Sequence, residues 1–249
     1  MRPATMTSRH NGQSYDKQPL GPMFIAPSIW SAGANPGHPL NAEDRAKLAL
    51  IATITRFGKG ETIYKKGDKA AFVYNIISGT VKTYQPLPEG GRFLSGFLFP
   101  NDLFGLAEDG AFVNAAEAAT DVTVYKIPAA PLEARLRHNP TLDFQVICKL
   151  CHDLRAAQRH AFVLSRHRAV SKICLFLQML EVAQETAGNM PKQIYLSMSR
   201  SDIGAYVGIS PEAVSRCLRK LTDQKIVRFK DRRHVEVLDR QALEALTSE

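Results

Sequence analysis

From residue 55 to 128 apolar residues gather in short β-rich runs punctuated by glycine, and beyond residue 140 they recur every third or fourth position; this change of pattern marks a change of architecture. The β-rich runs fall at 62–64, 72–78, 81–84, 93–99 and 122–127. Turn signals separate them at Lys66-Gly67-Asp68, Ser78-Gly79, Glu89-Gly90-Gly91 and Pro100-Asn101-Asp102. Their spacing predicts a small barrel or roll over 40–139. A short helix is predicted at 41–52, capped by Asn41, with Glu43 and Asp44 in its first turn and Leu48 and Ile51 on its apolar side. Residues 1–39 mix Pro, Gly, Ser, Asn and Gln without a sustained period, which predicts a disordered arm.

The helical pattern over 140–167 aligns Ile147, Leu150, Leu154, Ala157, Ala161 and Leu164 at alternating three- and four-residue steps, the pattern of a coiled-coil seam. Such a helix is about 40 Å long at 1.5 Å per residue, too long for the small β unit to cover, so the seam predicts a homodimer. A further helix at 169–186 presents Ile173, Leu177 and Leu180 and stops before Gly188; 193–196 then reads as a short strand.

The stretch from Ser199 to Leu221 predicts two short helices joined by a tight turn. Ser199 caps the first, whose Ile203 and Val207 point inward. Gly208 turns the chain, Ile209 plugs the turn, and Ser210 caps the second helix with Pro211 at its first position, where a missing N–H costs nothing. Val214, Leu218 and Leu221 share the inner face of that helix, leaving Glu212, Ser215, Arg216 and Arg219 outside. Arg216 has the fork that pairs with guanine, and Glu212 can accept from a cytosine amino group, so Glu212, Ser215 and Arg216 are the candidate base readers. The runs 226–229 and 234–238 flank Lys230-Asp231-Arg232-Arg233 and predict a β-hairpin wing. Ser199, Arg200, Ser210, Arg219, Lys220, Lys230, Arg232 and Arg233 are the candidate backbone contacts, which would make binding salt-dependent without reading sequence.

Charge agrees with this placement. The formal net charge is +8, yet 42–148 holds 12 basic and 12 acidic side chains, whereas 149–172 holds 6 against 1 and 211–233 holds 8 against 3. A polyanionic partner is therefore expected at the C-terminal half, double-stranded DNA in particular. No apolar run approaches the ~18–20 residues that cross a bilayer and no secretory signal is visible, so the expected location is the cytoplasm.

The sequence resembles the cAMP receptor protein and FNR (Crp/Fnr) family from about residue 40 to 245. The resemblance is carried by Gly60-Glu61, Lys66-Gly67-Asp68, Ile77-Ser78-Gly79-Thr80-Val81, Asn101-Asp102-Leu103-Phe104-Gly105, the long helix and the winged helix-turn-helix. It implies an α+β chain: a cyclic-nucleotide-binding-like β-roll (a double-stranded β-helix), a dimerisation helix at 140–167 and a DNA-binding domain at 168–249. Glu212, Ser215 and Arg216 match the FNR side of the family, which implies an FNR-box-like palindrome with TTGA-type half-sites and contact with RNA polymerase. The family's cAMP binders carry a Gly-Glu pair and an Arg-Ser pair; here Leu106 follows Gly105, and Val113-Asn114-Ala115-Ala116 offers no cation for a phosphate. FNR-type iron–sulfur cysteines are missing, since no cysteine precedes Cys148. Neither cofactor is expected. The closest resemblance is to the FixK-like subgroup, which implies activation of low-oxygen, nitrogen-fixation or respiratory genes.

Cys148 and Cys151 form a C-x-x-C without the two further ligands zinc needs, and with Cys174 they read as small apolar helix residues. Cys217 lies beside Arg216 and near Arg219 and Lys220, cations that favour a thiolate, so it is a candidate redox switch. His152, His160 and His167 read as a solvated helix face. An enzyme of the cupin type needs converging histidines and carboxylates on its barrel, and the one histidine within 42–148, His138, lies outside the strands; no enzyme and no metal is expected. A roll gated by an unidentified small ligand is the alternative within the same architecture.

Overall fold

Eight strands build two four-stranded antiparallel sheets that share an interior. The computed structural model describes residues 48–186 and 193–248, so the predicted arm and most of the 41–52 helix lie outside the described residues. One sheet runs β1 (Thr53–Phe57), β8 (Val122–Pro128), β3 (Phe72–Ser78), β6 (Leu103–Phe104); the other runs β2 (Thr62–Tyr64), β7 (Ala115–Ala118), β4 (Val81–Pro86), β5 (Arg92–Leu98). Both sheets contribute to one buried cluster, with Tyr74, Ile76 and Val124 from the first and Tyr64, Val81, Ala116 and Ala118 from the second. This is the double-sheet roll that the strand spacing predicts.

Three strands escape the sequence pattern. β7 reads Ala-Ala-Glu-Ala, a helix-favouring composition, yet all four of its residues are buried between β2 and β4, with Ala116 and Ala118 in the roll's interior and Glu117 on Lys82 and Arg92. β6 is two residues long, and β1 is an edge strand paired on one side by β8. A helix, α1 (Ala129–Leu136), also goes unpredicted because Pro128 and Pro131 look like breakers; a proline within the first turn forfeits no intrahelical bond. Leu132 from α1 packs with Leu48, Val73, Leu103 and Ile127 on the outer side of the first sheet.

The long helix, α2 (Pro140–Ser165), is capped by Asn139 and has two apolar stripes. Leu142, Val146 and Val163 are buried against the rest of the chain, while Ile147, Leu150 and Leu154 are 48%, 49% and 61% exposed, and Ala157 and Ala161 are exposed beside them. After α2 come α3 (Ala169–Thr186), β9 (Ile194–Tyr195), α4 (Arg200–Val207), α5 (Pro211–Asp223), β10 (Val227–Phe229), β11 (His234–Val237) and α6 (Arg240–Ser248). The last helix, capped by Asp239 through the Ala242 N–H at 2.9 Å, was not anticipated; Leu243 anchors it in the core.

Between α4 and α5 the turn is set by two glycines. Gly208 ends α4 in the left-handed region at φ 70°, which a side chain rarely adopts. Gly204, inside α4, faces the Ile209 carbonyl so closely that an added Cβ would lie 2.6 Å from that oxygen. The two helices can cross at this distance only because position 204 has no side chain.

The roll and the DNA-binding domain share a core. Tyr84, Leu94, Phe97 and Phe99 belong to the same buried cluster as Phe176, Ile203, Tyr206 and Leu218. Phe97 meets the Tyr206 ring at 5.3 Å between centroids, and His160 stacks on Tyr206 at 3.9 Å with the rings 3° from parallel. His160 Nε2 also donates to the Tyr206 carbonyl at 2.6 Å. The sequence reading of His160 as a solvated residue is thereby corrected: it is 6% exposed, and burial holds its imidazole below its usual range against the opposing pull of that hydrogen bond. A buried ion cluster joins the same surfaces. Lys82 Nζ lies 2.9 Å from Asp202 Oδ1 and 3.0 Å from Glu117 Oε1, and Arg92 reaches Glu117 at 2.6 Å.

Lys82→Ala strips the shared cation from two carboxylates, so urea unfolding should show a loss of about 3 kcal/mol, the lower end for breaking a buried pair because Arg92 remains on Glu117. A loss under about 1 kcal/mol would show that water replaces the ammonium. Gly204→Ala should also destabilise, by about 1–3 kcal/mol in thermal unfolding, although alanine is the better helix former; an unchanged or raised Tm would show that the turn can move aside.

Candidate nucleic-acid interface

Capping fixes both helices of the turn. Ser199 Oγ accepts from the Asp202 N–H at 3.0 Å, and Asp202 Oδ2 accepts from the Ser199 N–H at 3.2 Å and its hydroxyl at 2.6 Å, a closed capping box. Burial pushes the Asp202 carboxyl up, but Ser199 and Lys82 together hold it below its ordinary value. Burial likewise pulls the Lys82 ammonium down, and Asp202 and Glu117 more than restore it. One carboxylate thus starts α4 and ties it to the roll.

Ser210 Oγ accepts from the Ala213 N–H at 3.2 Å, with Pro211 at the first position of α5. Val214, Cys217, Leu218 and Leu221 are buried, while Glu212, Ser215, Arg216, Arg219 and Lys220 are exposed on the opposite face. The structure therefore brings the three candidate base readers together at the open end of one helix. Two of them are occupied locally. The Ser215 hydroxyl donates to the Pro211 carbonyl at 3.1 Å. The Glu212 carboxyl is held below its usual range by its own backbone N–H first and then by the Ser210 hydroxyl, with Arg216 adding a smaller pull.

The candidate backbone contacts divide. Arg219, Lys220, Lys230, Arg232 and Arg233 are exposed. Arg200 is half-buried with its guanidinium 5.5 Å from the centre of the Phe229 ring, and burial lowers its basicity. The Ser199 and Ser210 hydroxyl oxygens serve as caps, and the Ser199 N–H is taken by Asp202. In the wing, β10 and β11 pair Arg228 with Glu236, whose carboxylate takes the guanidinium at 2.6 Å. Arg233 Nη1 donates to the Tyr195 hydroxyl at 3.0 Å, and Asp231 accepts from the backbone at the hairpin tip. Lys82, Tyr195, Tyr206 and Asp231 were missed in the sequence because each acts through a partner distant in the chain or folded back upon it; only the Ser199-x-x-Asp202 spacing signalled the cap.

Half of the cations over 149–172 are turned into the molecule. Lys149 is buried between Asp102, at 3.3 Å, and Asp153. Lys172 is also buried, and Arg166 donates to the Thr247 carbonyl at 2.8 Å. The positive face belongs instead to α5 and the wing.

Cys217 departs from its sequence reading. It is 6% exposed, and burial pushes its thiol up further than Arg216 and Lys220 pull it down. Cys174 beside it is pushed to about 12 by burial and by Cys217. A favoured thiolate at 217, the premise of the redox switch, is not what this environment provides. Cys151 is exposed and Cys148 half-buried.

In the roll, Gly105, Leu106, Val113 and Asn114 line a cleft of about 710 Å³ that continues between α2 and α3. Apolar side chains dominate it, and the one cation among its lining residues, Arg159, comes from α2 rather than from the roll. Among the described residues no group of three His, Cys, Asp or Glu could hold a metal ion, and no helix is long and apolar enough to cross a membrane.

These features have counterparts in known proteins. Residues 54–139 match the model of the cyclic nucleotide-binding domain, and residues 171–246 match that of the Crp-like helix-turn-helix domain. The transcriptional activator protein Anr of Pseudomonas protegens is 30% identical over 203 residues, 80% of this chain and 83% of that protein. The nitrogen fixation regulation protein FixK of Bradyrhizobium diazoefficiens is 30% identical over 186 residues, 73% of this chain and 77% of that protein. The crystal structure of FixK2 from Bradyrhizobium japonicum superposes with a TM-score of 0.73 at 31% identity, covering 79% of this chain and 98% of that one. With a roll, a long helix and a winged helix-turn-helix in the same order, the chain belongs to the Crp/Fnr family of DNA-binding transcription regulators.

Proposed function

We propose that two copies of this chain pair along α2 and read an FNR-box-like palindrome with TTGA-type half-sites. The observation that carries this reading is the exposed constellation of Glu212, Ser215 and Arg216 at the start of α5, held by two caps and a buried inner face. Arg216 pairs bidentately with guanine and Glu212 accepts from a cytosine amino group once its carboxylate leaves the helix start; each such pair supplies about 1–3 kcal/mol of base discrimination. Arg219, Lys220, Lys230, Arg232 and Arg233 contact phosphates and set register. Ser199 and Ser210, with Arg200 as a flanking cation, do the same at the helix N-termini.

The dimer reading rests on the second stripe of α2. Ile147, Leu150, Leu154, Ala157 and Ala161 are left exposed by the described residues, and a second α2 covers them. Leu164, placed last in the seam, is half-buried, its Cδ2 3.2 Å from where a Cβ on Gly208 would stand, so it joins the seam to the turn of its own domain. Paired in this way, two recognition helices stand about 34 Å apart on successive turns of the major groove. The bound dimer works in the cytoplasm on RNA polymerase. The relatives named for nitrogen fixation and for transcriptional activation support genes of low-oxygen, nitrogen-fixation or respiratory metabolism, and activation rather than repression. The apolar cleft of about 710 Å³ favours a second reading, a roll gated by an uncharged small ligand instead of a cyclic nucleotide.

Fluorescence anisotropy with palindromic and random duplexes at stated salt tests the first reading. Arg216→Ala should lose discrimination at one base pair by roughly five- to 150-fold, whereas Arg232→Ala should weaken all duplexes alike and lower the salt slope by about one. Equal losses for both variants on both duplexes would overturn the division of roles. Leu154→Glu should sediment as a monomer and lose most palindrome affinity; a dimeric Leu154→Glu protein would show that the seam lies elsewhere.

A further inference from the structure

The wing carries an acid among its cations. Asp231 stands between Lys230 and Arg232, where a free carboxylate would repel a phosphate. Its oxygens are committed elsewhere. Oδ1 accepts from the backbone N–H groups of Arg233 at 2.7 Å and His234 at 2.9 Å, and Oδ2 lies 2.6 Å from His234 Nδ1. The His234 ring sits 5.0 Å from that of Tyr195, whose hydroxyl accepts from Arg233 Nη1 at 3.0 Å. Backbone bonds close the frame: the Lys230 N–H donates to the His234 carbonyl at 3.0 Å, and the Leu196 N–H to the Arg233 carbonyl at 2.8 Å. Tyr195, His234, Asp231 and Arg233 thus form a closed ring of contacts between β9 and the hairpin tip.

We propose that Asp231 is a positioning residue for the DNA backbone contact, fixing the hairpin tip so that Arg232 and Arg233 are presented to phosphate as one ordered pair. The inference rests on the DNA-binding reading above. An exposed tip of four polar residues without internal bonds would sample many shapes, and each cation would be ordered only on binding. Here the carboxylate does that ordering beforehand, and its two oxygens, though still solvent-exposed, are taken by two N–H groups and an imidazole. The sign of its removal separates this role from charge alone. Deleting a surface acid near a polyanion should tighten binding by a factor of about two or three if only net charge matters. Deleting a residue that orders the tip should weaken it.

Anisotropy titrations of full-length wild type, Asp231→Ala, Asp231→Asn and Arg232→Ala against palindromic and random duplexes decide the matter. The expected result is that Asp231→Ala binds both duplexes roughly three- to tenfold more weakly, about the worth of a lost net hydrogen bond, with a salt slope lowered toward that of Arg232→Ala. Asp231→Asn, whose amide oxygen still accepts from the two N–H groups, should recover most of the affinity. Equal or tighter binding by Asp231→Ala with an unchanged slope overturns the proposal, as does a failure of Asp231→Asn to recover any of the loss. Circular dichroism checks folding, and if Asp231→Ala does not fold, a salt slope and affinity for Asp231→Asn no better than those of Arg232→Ala overturn it alone. Wild type that fails to bind either duplex would instead refute the DNA-binding reading.

Discussion

The joint between β5 and α4 determines where everything that touches DNA can be. Tyr206 is its pivot: Phe97 of the roll and His160 of the long helix both close on it, so three parts of the chain meet at a single aromatic ring. The Lys82, Asp202, Glu117 and Arg92 cluster adds directional contacts that an apolar face lacks. Withdrawing Lys82, Glu117 and Asp202 from most of the solvent gains little net stability over an apolar replacement, but it penalises any sliding of α4 along β5, since a displaced carboxylate would lose its counterion where little water reaches it. Packing holds the domains together, and charge selects their register.

Placing Asp202 at both ends of this arrangement couples local and global structure. The same side chain closes the capping box of α4 and receives the roll's ammonium, so the first turn of the DNA-reading unit and its attachment to the roll are not separate features. A disturbance that draws Lys82 away leaves the helix start with an acid that has lost its counterion. Events in the roll therefore have a short physical path to the helix-turn-helix, through β4 and one ion pair, without passing along the whole of α2.

Most of the architecture was legible from the hydrophobic pattern alone because the two halves of the chain follow different patterns and the turn residues agree with them. The helix-turn-helix was legible in detail: Ser199, Gly208, Ser210 and Pro211 each have a local reason that does not depend on the rest of the fold. What escaped was whatever tertiary burial decides. Ala115–Ala118 forms a strand because β2 and β4 pair with it on both sides and bury it, against its own propensity. Cys217 lies among cations in sequence, yet the helix turns its thiol into the core, where desolvation outweighs them. The charge run at 149–172 misled in the same way, since Lys149 and Lys172 are consumed inside the molecule. In sequence Asp231 is one member of a cationic wing, and only the folded hairpin shows where its oxygens go.

The second stripe of α2 has a consequence for how such a regulator would respond to its own abundance. Its residues are exposed among the described residues and on the dimer reading are covered by a second chain, so the species that fits a two-half site forms by a bimolecular step. While the chains are scarce, the number of assembled readers grows with the square of their concentration. Doubling synthesis then raises occupancy about fourfold, and the apolar stripe turns a graded change in expression into a sharper change at the promoter.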